Sequence, residues 1–219
     1  MTDPVIDPKA TEVDPLALPL NPKAATWNLA NQLTVFRLVL VPVFLLALFA
    51  DGGHTTGWRW AAWGVFAVAS YTDRIDGQIA RNRNLVTSFG KLVDPIADKA
   101  LIGSALIGLS LLDDLPWWIT VLVLVREVGV TALRFWVIRH GVIPASRGGK
   151  LKAFLQAVAI GLYVLPFTGW LASGRAVVMT AAIIVTVVTG IDYVARALTL
   201  RQTSDRAAMK RARKAAREQ

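Results

Sequence analysis

Six long stretches without a charged side chain constrain the fold of this chain more than any other feature. They cover residues 38–50, 60–72, 100–112, 115–125, 153–174 and 176–191. A helix needs about 20 mainly apolar residues to cross a bilayer, and only the fifth stretch reaches that length alone. The others reach it when charged neighbours are included. The sequence therefore predicts an all-α, polytopic membrane protein with six transmembrane helices.

Lys and Arg are distributed unequally among the connections. The segments 81–91, 139–152 and 199–219 are rich in them, whereas 51–57 and 112–117 contain neither. Because these residues accumulate on the cytoplasmic side of membrane proteins, we expect both termini to be cytoplasmic.

The composition argues against several other classes of protein. Hydrophobic residues make up 54% of the chain and charged residues only 18%, yet the net charge is +9, and cysteine is absent. A soluble nucleic-acid-binding protein carries its basic excess on a highly charged surface. Without cysteine, disulfides and thiolate metal sites are excluded. We therefore expect no nucleic-acid partner, and attraction of the basic face to anionic membrane lipid.

The charges that interrupt the apolar stretches fall in the predicted cytoplasmic half of five helices. Charged groups at membrane depth are costly and usually face a bundle interior or a water-filled cavity. Long basic side chains can extend to the headgroups instead, which would suit Arg37 or Arg196, but aspartate is too short to do so well. The pattern predicts a polar cavity that opens to the cytoplasm.

Four aspartates occur in a compact arrangement. Asp73 and Asp76 are three residues apart, and Asp94 and Asp98 are four apart, so each pair lies on one face of a helix. A short connection would make these helices antiparallel neighbours. Four converging carboxylates repel one another, and Mg²⁺ or Mn²⁺, which favour oxygen ligands and bridge carboxylates to phosphates, would compensate them. The pattern predicts two divalent cations and an anionic diphosphate ligand.

Residues between and beside the aspartates support a ligand site. Gly77, Ala80 and Gly90 are small enough to leave room between the helices, and Arg81 is placed to reach a phosphate. The alternative is helix-capping aspartates beside small residues that pack membrane helices together. That alternative could account for Asp94 but not for all four carboxylates.

The spacing D-x2-D-G-x2-A-R-x8-G-x3-D-x3-D over residues 73–98 resembles the signature of the CDP-alcohol phosphatidyltransferases at every fixed position. The resemblance extends over roughly residues 27–198. Residues 31–37 resemble the first-helix pattern of the family, and residues 94–99, 126–134 and 149–156 are similar to the branch that makes phosphatidylglycerophosphate.

The resemblance implies transfer of a phosphatidyl group from CDP-diacylglycerol to glycerol 3-phosphate, with release of CMP. It implies a protein of the bacterial cell membrane, with dimers common in the family. It assigns the metal ions to Asp73, Asp76, Asp94 and Asp98, with Asp98 also the catalytic base. It assigns the nucleotide and diphosphate to Gly77, Arg81, Asn31, Thr34 and Gly90.

The acceptor carries its own phosphate, so a second cluster of cations is needed. The candidates are Arg126, Arg134, Arg147, Lys150 and Lys152. In the alternative reading, the last three only set the membrane topology, and Glu127 pairs with Arg134.

Four regions follow from these patterns. Residues 1–21 are expected to form a flexible tail, 22–30 an interfacial helix or a plain linker, and 31–198 the membrane domain. Residues 199–219 form a basic tail, either a surface helix on anionic lipid or a disordered segment.

Other functions compete with this assignment. An ion-coupled transporter or channel would also hold intramembrane carboxylates, but would distribute them across the membrane depth. A membrane prenyltransferase would lack the Gly-x2-Ala-Arg extension. Within the family, synthesis of phosphatidylinositol phosphate or cardiolipin is the alternative.

Overall fold

The computed structural model describes residues 28–82, 87–137 and 147–215. Over these residues the chain forms six α-helices and no β-strand, which confirms the all-α class. The helices are α1 (Leu29–Phe49), α2 (Thr56–Asn82), α3 (Ser88–Leu111), α4 (Trp117–Val137), α5 (Arg147–Val164) and α6 (Trp170–Ala215). A 3₁₀ turn at Ala50–Gly53 links α1 to α2.

Two of the described helices are long and apolar enough to cross a bilayer by length and composition. They are Asn31–Gly53 and Trp170–Leu200, and only 28% and 22% of their most apolar windows are buried inside the protein. Their apolar side chains therefore point largely outwards, which favours contact with lipid. Six membrane spans remain a prediction.

The longest uncharged stretch, 153–174, does not form one continuous helix, so the prediction that these residues make up one membrane helix was wrong in its bounds. α5 ends at Val164 and α6 begins at Trp170. Pro166 lies between them and has no amide hydrogen to continue the helix. Gly169 has a φ of 63°, a conformation that glycine adopts readily. The end of the stretch therefore belongs to α6.

Helix α1 lies between the two helices that carry the aspartates. It contacts α2 and α3 extensively, whereas α2 and α3 contact each other little. The fully buried Phe44 packs against Phe66 of α2, with ring centroids 5.8 Å apart. On the α3 side, a Cβ atom on Gly108 would lie 2.7 Å from Leu48 Cδ2, so a larger residue there would displace the fully buried side chain of Leu48. Helix α1 thereby sets the spacing of the two aspartate-bearing helices.

The predicted terminal regions fall largely outside the described residues. This is true of the whole of 1–21 and of 22–27 within the expected interfacial helix. Asn28 caps α1 by accepting a 3.0 Å hydrogen bond from the backbone N–H of Asn31. At the other end, α6 continues without a break into the basic tail and ends at Ala215.

A buried ion pair joins the start of α2 to the turn between α3 and α4. Arg59 is 4% exposed and donates to a carboxylate oxygen of Asp114. Its Nη1 is buried without a hydrogen-bond partner among the described residues. Asp114 is therefore the charge that compensates this guanidinium.

We expect Asp114→Asn to lower the free energy of unfolding by about 3 kcal/mol, because it leaves a buried cation unpaired. The melting temperature in detergent should fall by roughly 6–12 °C. Asp113→Asn is the matched control, since Asp113 is exposed and asparagine tolerates its φ of 58°. Equal melting temperatures for the two variants would contradict a stabilising role of the pair.

Candidate active site

A cavity of about 460 Å³ lies among the helices. Its lining is mainly apolar and includes Trp63 and Phe66, but charged side chains from five helices also face it. These are Arg37 of α1, Asp73 of α2, Asp98 and Lys99 of α3, Glu127 of α4 and Lys152 of α5. Of the charges that interrupt the predicted spans, Arg37, Asp73 and Asp98 thus face one space, whereas Asp94, Arg126, Asp192 and Arg196 do not line it. The side of the membrane to which it opens remains a prediction.

Asp73 is held by an arginine from the neighbouring helix. The side chain of Arg37 is 0% exposed, and its Nη1 lies 2.5 Å from Oδ1 of Asp73. A fully buried guanidinium is costly unless a charge compensates it. This pair therefore fixes the position of Asp73 at the cavity wall and ties α2 to α1.

Asp94 is held from the same helix by a hydroxyl group. Thr34 is buried, lies three residues before Arg37 on α1, and donates a 2.6 Å hydrogen bond from Oγ1 to Oδ1 of Asp94. One face of α1 therefore positions two of the four aspartates, one on each neighbouring helix.

Asn31 of α1 contacts the start of α3, where Gly90 lies. The Nδ2 of Asn31 donates a 2.8 Å hydrogen bond to Oγ1 of Thr87, which in turn caps α3 by accepting from the backbone N–H of Gly90 at 3.1 Å. A Cβ atom on Gly90 would lie 2.7 Å from Oδ1 of Asn31. The space beside this glycine is thus filled by Asn31, and their predicted roles in nucleotide binding remain predictions.

Asp98 shares the cavity with a polar network centred on Glu127. Lys152 is only 7% exposed and donates from Nζ to Oε1 of Glu127. Lys99 donates from Nζ to the backbone carbonyl of Glu127 at 3.2 Å and also bonds to Oγ1 of Thr131. The network links α3, α4 and α5 and holds a buried ammonium group near the carboxylate of Asp98, with which it interacts electrostatically.

The other predicted phosphate-binding cations are placed differently. Arg126 extends to α6, where its Nη2 donates to Oγ1 of Thr189 at 3.1 Å, and its Nη1 lies 3.2 Å from Oε1 of Glu127. Lys150 is exposed. Lys152 is the one predicted cation among the described side chains that lines the cavity.

Five predicted site residues have side chains outside the described part of the structure, although their backbones lie in helices α2, α4 and α5. They are Asp76, Gly77, Arg81, Arg134 and Arg147. Their roles remain predictions, as does any pairing of Arg134 with Glu127.

The described carboxylates have the donor chemistry that a hard divalent cation requires. Asp73 interacts electrostatically with both Asp94 and Asp98, and all three offer oxygen ligands of the kind Mg²⁺ and Mn²⁺ prefer. Among the described side chains no group of three or more potential ligands is close enough to hold an ion. The side chain of Asp76 lies outside the described part of the structure. The carboxylates of Asp73, Asp94 and Asp98 fit a divalent metal by the chemistry of their oxygen atoms. Arg37 contacts Asp73, and Thr34 contacts Asp94.

A profile of the CDP-alcohol phosphatidyltransferases matches residues 27–190, which include all four aspartates, the whole of α1 to α5 and the first part of α6. This chain belongs to the CDP-alcohol phosphatidyltransferase family. The family is membrane-associated and generally uses divalent metal ions.

Several curated members of the CDP-alcohol phosphatidyltransferase family are similar to this chain. A probable phosphatidylglycerophosphate synthase of Mycobacterium tuberculosis is 66% identical over 176 residues, covering 80% of this chain and 84% of the relative. The CDP-diacylglycerol–glycerol-3-phosphate 3-phosphatidyltransferases of Rickettsia felis and Bacillus subtilis are 39% and 36% identical. Each alignment covers 76% of this chain and 93% of the relative.

Two functional features were not predicted from the sequence. The interruption of the first apolar stretch by Arg37 indicated a cavity, but nothing in the spacing identified Asp73 as its partner. The central role of Glu127 was also missed, because its partner Lys152 lies 25 residues away in the chain and only the packing of α4 and α5 joins them. The sequence feature that could have identified Glu127 is its position as the only acidic residue between the predicted cations Arg126 and Arg134.

Proposed function

We propose that this CDP-alcohol phosphatidyltransferase transfers the phosphatidyl group of CDP-diacylglycerol to glycerol 3-phosphate, producing phosphatidylglycerophosphate and CMP. The observation that supports this most is a single cavity in which Asp73 and Asp98 lie with the buried ammonium group of Lys152. Such a cavity offers carboxylates for the reacting centre and a fixed cation for the phosphate of the acceptor. The names of the similar proteins support the same reaction.

In this proposal Asp98 is the catalytic base. It accepts the proton of the attacking hydroxyl group of glycerol 3-phosphate while the hydroxyl oxygen bonds to the phosphorus that carries the diacylglycerol. The bond from that phosphorus to the bridging oxygen breaks, and the electron pair leaves with CMP. Asp98 reaches the cavity directly, so the base needs no relay.

Asp73, Asp76, Asp94 and Asp98 would hold two Mg²⁺ or Mn²⁺ ions. When bound, the ions neutralise the charge of the diphosphate and stabilise the departing CMP. Arg37 and Thr34 orient two of these carboxylates from α1. Gly77, Arg81, Asn31, Thr34 and Gly90 are proposed to bind the nucleotide and diphosphate.

Lys152 is proposed to bind the phosphate of the acceptor. Its ammonium group is fixed by Glu127, so a phosphate would meet a cation that has already lost its side-chain freedom. Arg126 contacts the same carboxylate oxygen of Glu127 as Lys152 does, and is proposed to assist Lys152 in binding the phosphate. Arg134, Arg147 and Lys150 complete the proposed set, and their position at the ends of α4 and α5 suits attraction of an anionic substrate.

The membrane arrangement belongs to the same proposal. We place six spans in the bacterial cell membrane with both termini and the cavity on the cytoplasmic side, where the basic connections lie. The basic end of α6 would contact anionic lipid. A homodimer is proposed from the family resemblance.

Purified protein with Mg²⁺ or Mn²⁺ and CDP-diacylglycerol should release CMP when glycerol 3-phosphate is added. Phosphatidylglycerol, inositol phosphate and serine should give much less CMP. Excess EDTA should abolish the release, and returning either metal should restore it, because four converging carboxylates cannot bind a diphosphate without cations. A different preferred acceptor would overturn the branch assignment, and full activity in EDTA would overturn the metal site.

A further inference from the structure

Two residues in the wall of the cavity each carry a buried oxygen atom that lacks a hydrogen-bond partner within the described residues. Gln156 of α5 is 4% exposed, and its Oε1 is buried without a partner. Ser70 of α2 also has a buried Oγ without a partner. Both residues line the cavity. An unpaired buried oxygen costs free energy, so two such atoms in residues that line one cavity indicate a ligand that hydrogen-bonds to them.

These two side chains lie next to the groups that the proposed reaction uses. Gln156 follows Lys152 by four residues on α5, and Ser70 precedes Asp73 by three residues on α2, so each lies on the same helix face as its neighbour. The lining beyond Gln156 in the chain is apolar and includes Leu162 of α5 and Leu165, which directly follows this helix. Ser70 and Gln156 thus border the space where the acceptor would lie between a base and a phosphate-binding cation.

We propose that Gln156, assisted by Ser70, binds the hydroxyl group of the acceptor that does not react. The inference rests on the proposed function, in which glycerol 3-phosphate attacks through one hydroxyl group and keeps the other. That second hydroxyl donates to Oε1 of Gln156 and can accept from the hydroxyl of Ser70. Gln156 is therefore a specificity-determining residue, selecting acceptors that carry a hydroxyl group beside the reacting one.

The chemistry of the unpaired atom favours the acceptor over the lipid part of the donor. The ester groups of diacylglycerol offer only hydrogen-bond acceptors, so they cannot satisfy the amide oxygen of Gln156. The ribose hydroxyl groups of the CDP moiety could donate to it. The experiment therefore varies the hydroxyl groups of the acceptor and of the ribose separately.

The test compares glycerol 3-phosphate with 3-hydroxypropyl phosphate, which lacks the second hydroxyl group. The wild-type enzyme should prefer glycerol 3-phosphate by about tenfold or more in kcat/KM, because the analogue leaves buried polar groups unpaired. In Gln156→Leu this preference should fall to less than about threefold, through loss of activity on glycerol 3-phosphate alone. Ser70→Ala, a smaller change that supports folding in a helix, should reduce the preference in the same direction.

Ile160→Ala is the matched control on the same helix. Ile160 is fully buried one turn beyond Gln156 and does not line the cavity, so this variant should lose stability and keep the wild-type preference. An equal loss of activity on both acceptors in Gln156→Leu and Ser70→Ala would overturn the inference. The inference would also be overturned if these two variants changed the preference for CDP-diacylglycerol over its 2′-deoxyribose analogue and left the acceptor preference unchanged. No turnover by the wild type with either acceptor would overturn the proposed function and the inference with it.

Discussion

Asp98→Asn should lower the rate of CMP release by roughly 10³-fold, because it removes the proposed base. Asparagine has nearly the same shape as aspartate and keeps one oxygen, but it cannot accept the proton of the attacking hydroxyl. Asp98 faces the cavity, so the exchange should leave the packing of α3 intact. The measurement is CMP release at saturating CDP-diacylglycerol and glycerol 3-phosphate, with the melting temperature in detergent as the check on folding.

Asp192→Asn provides the control for a lost carboxylate. Asp192 is half-exposed on α6, where it pairs with Arg196 one turn away at 2.9 Å, and such surface pairs contribute about 0–1 kcal/mol. Its activity should stay within about twofold of the wild type, since it lies outside the cavity. An Asp98→Asn enzyme that folds and turns over at the wild-type rate would contradict the role of Asp98 as the base.

Lys152→Met should raise the KM for glycerol 3-phosphate by about 10- to 100-fold, the range expected for the loss of one charge-assisted hydrogen bond. The KM for CDP-diacylglycerol should change much less. The variant should still fold, because methionine fills a similar volume and Glu127 keeps its 3.2 Å contact with Arg126. Initial rates over a range of each substrate in turn separate the two KM values.

Lys150→Met is the comparison for this prediction, since it removes the same charge two residues away. Lys150 is exposed, where solvent and salt screen its attraction to a phosphate. Its effect on the KM for glycerol 3-phosphate should therefore be several-fold smaller than that of Lys152→Met. A larger effect from Lys150→Met would move the phosphate site out of the cavity and to the end of α5.

The helices that carry the aspartates could be predicted from the sequence because their signals are local. The spacing of Asp73 and Asp76 and that of Asp94 and Asp98 fit one helix face each, and α2 and α3 do contain them. The low charge content and the polar interruptions predicted an all-α protein with a charged cavity, which the structure also has.

The arrangement of the helices could not be read in the same way. The short connection after Asp76 suggested that α2 and α3 pack directly, yet α1 lies between them and binds Asp73 through Arg37 and Asp94 through Thr34. Arg37 and Asp73 are 36 residues apart in the chain, and Thr34 and Asp94 are 60 apart. A local sequence pattern does not show which distant helix packs between two others. The break between α5 and α6 near Pro166 was also missed, because the uncharged stretch continues through residues where the helix ends.

Helix α6 is longer than a bilayer is thick, which has a consequence for the part of it that lies beyond the membrane core. It contains 46 residues, which at 1.5 Å per residue measure about 69 Å along the axis. A bilayer with its headgroups is only about 40–45 Å thick. In a membrane, some 25 Å of this helix must therefore extend beyond the bilayer or lie along its surface. The Lys and Arg residues near its end would then form a stiff arm of fixed reach, and a soluble partner or a neighbouring lipid patch would meet them at a defined distance from the catalytic cavity.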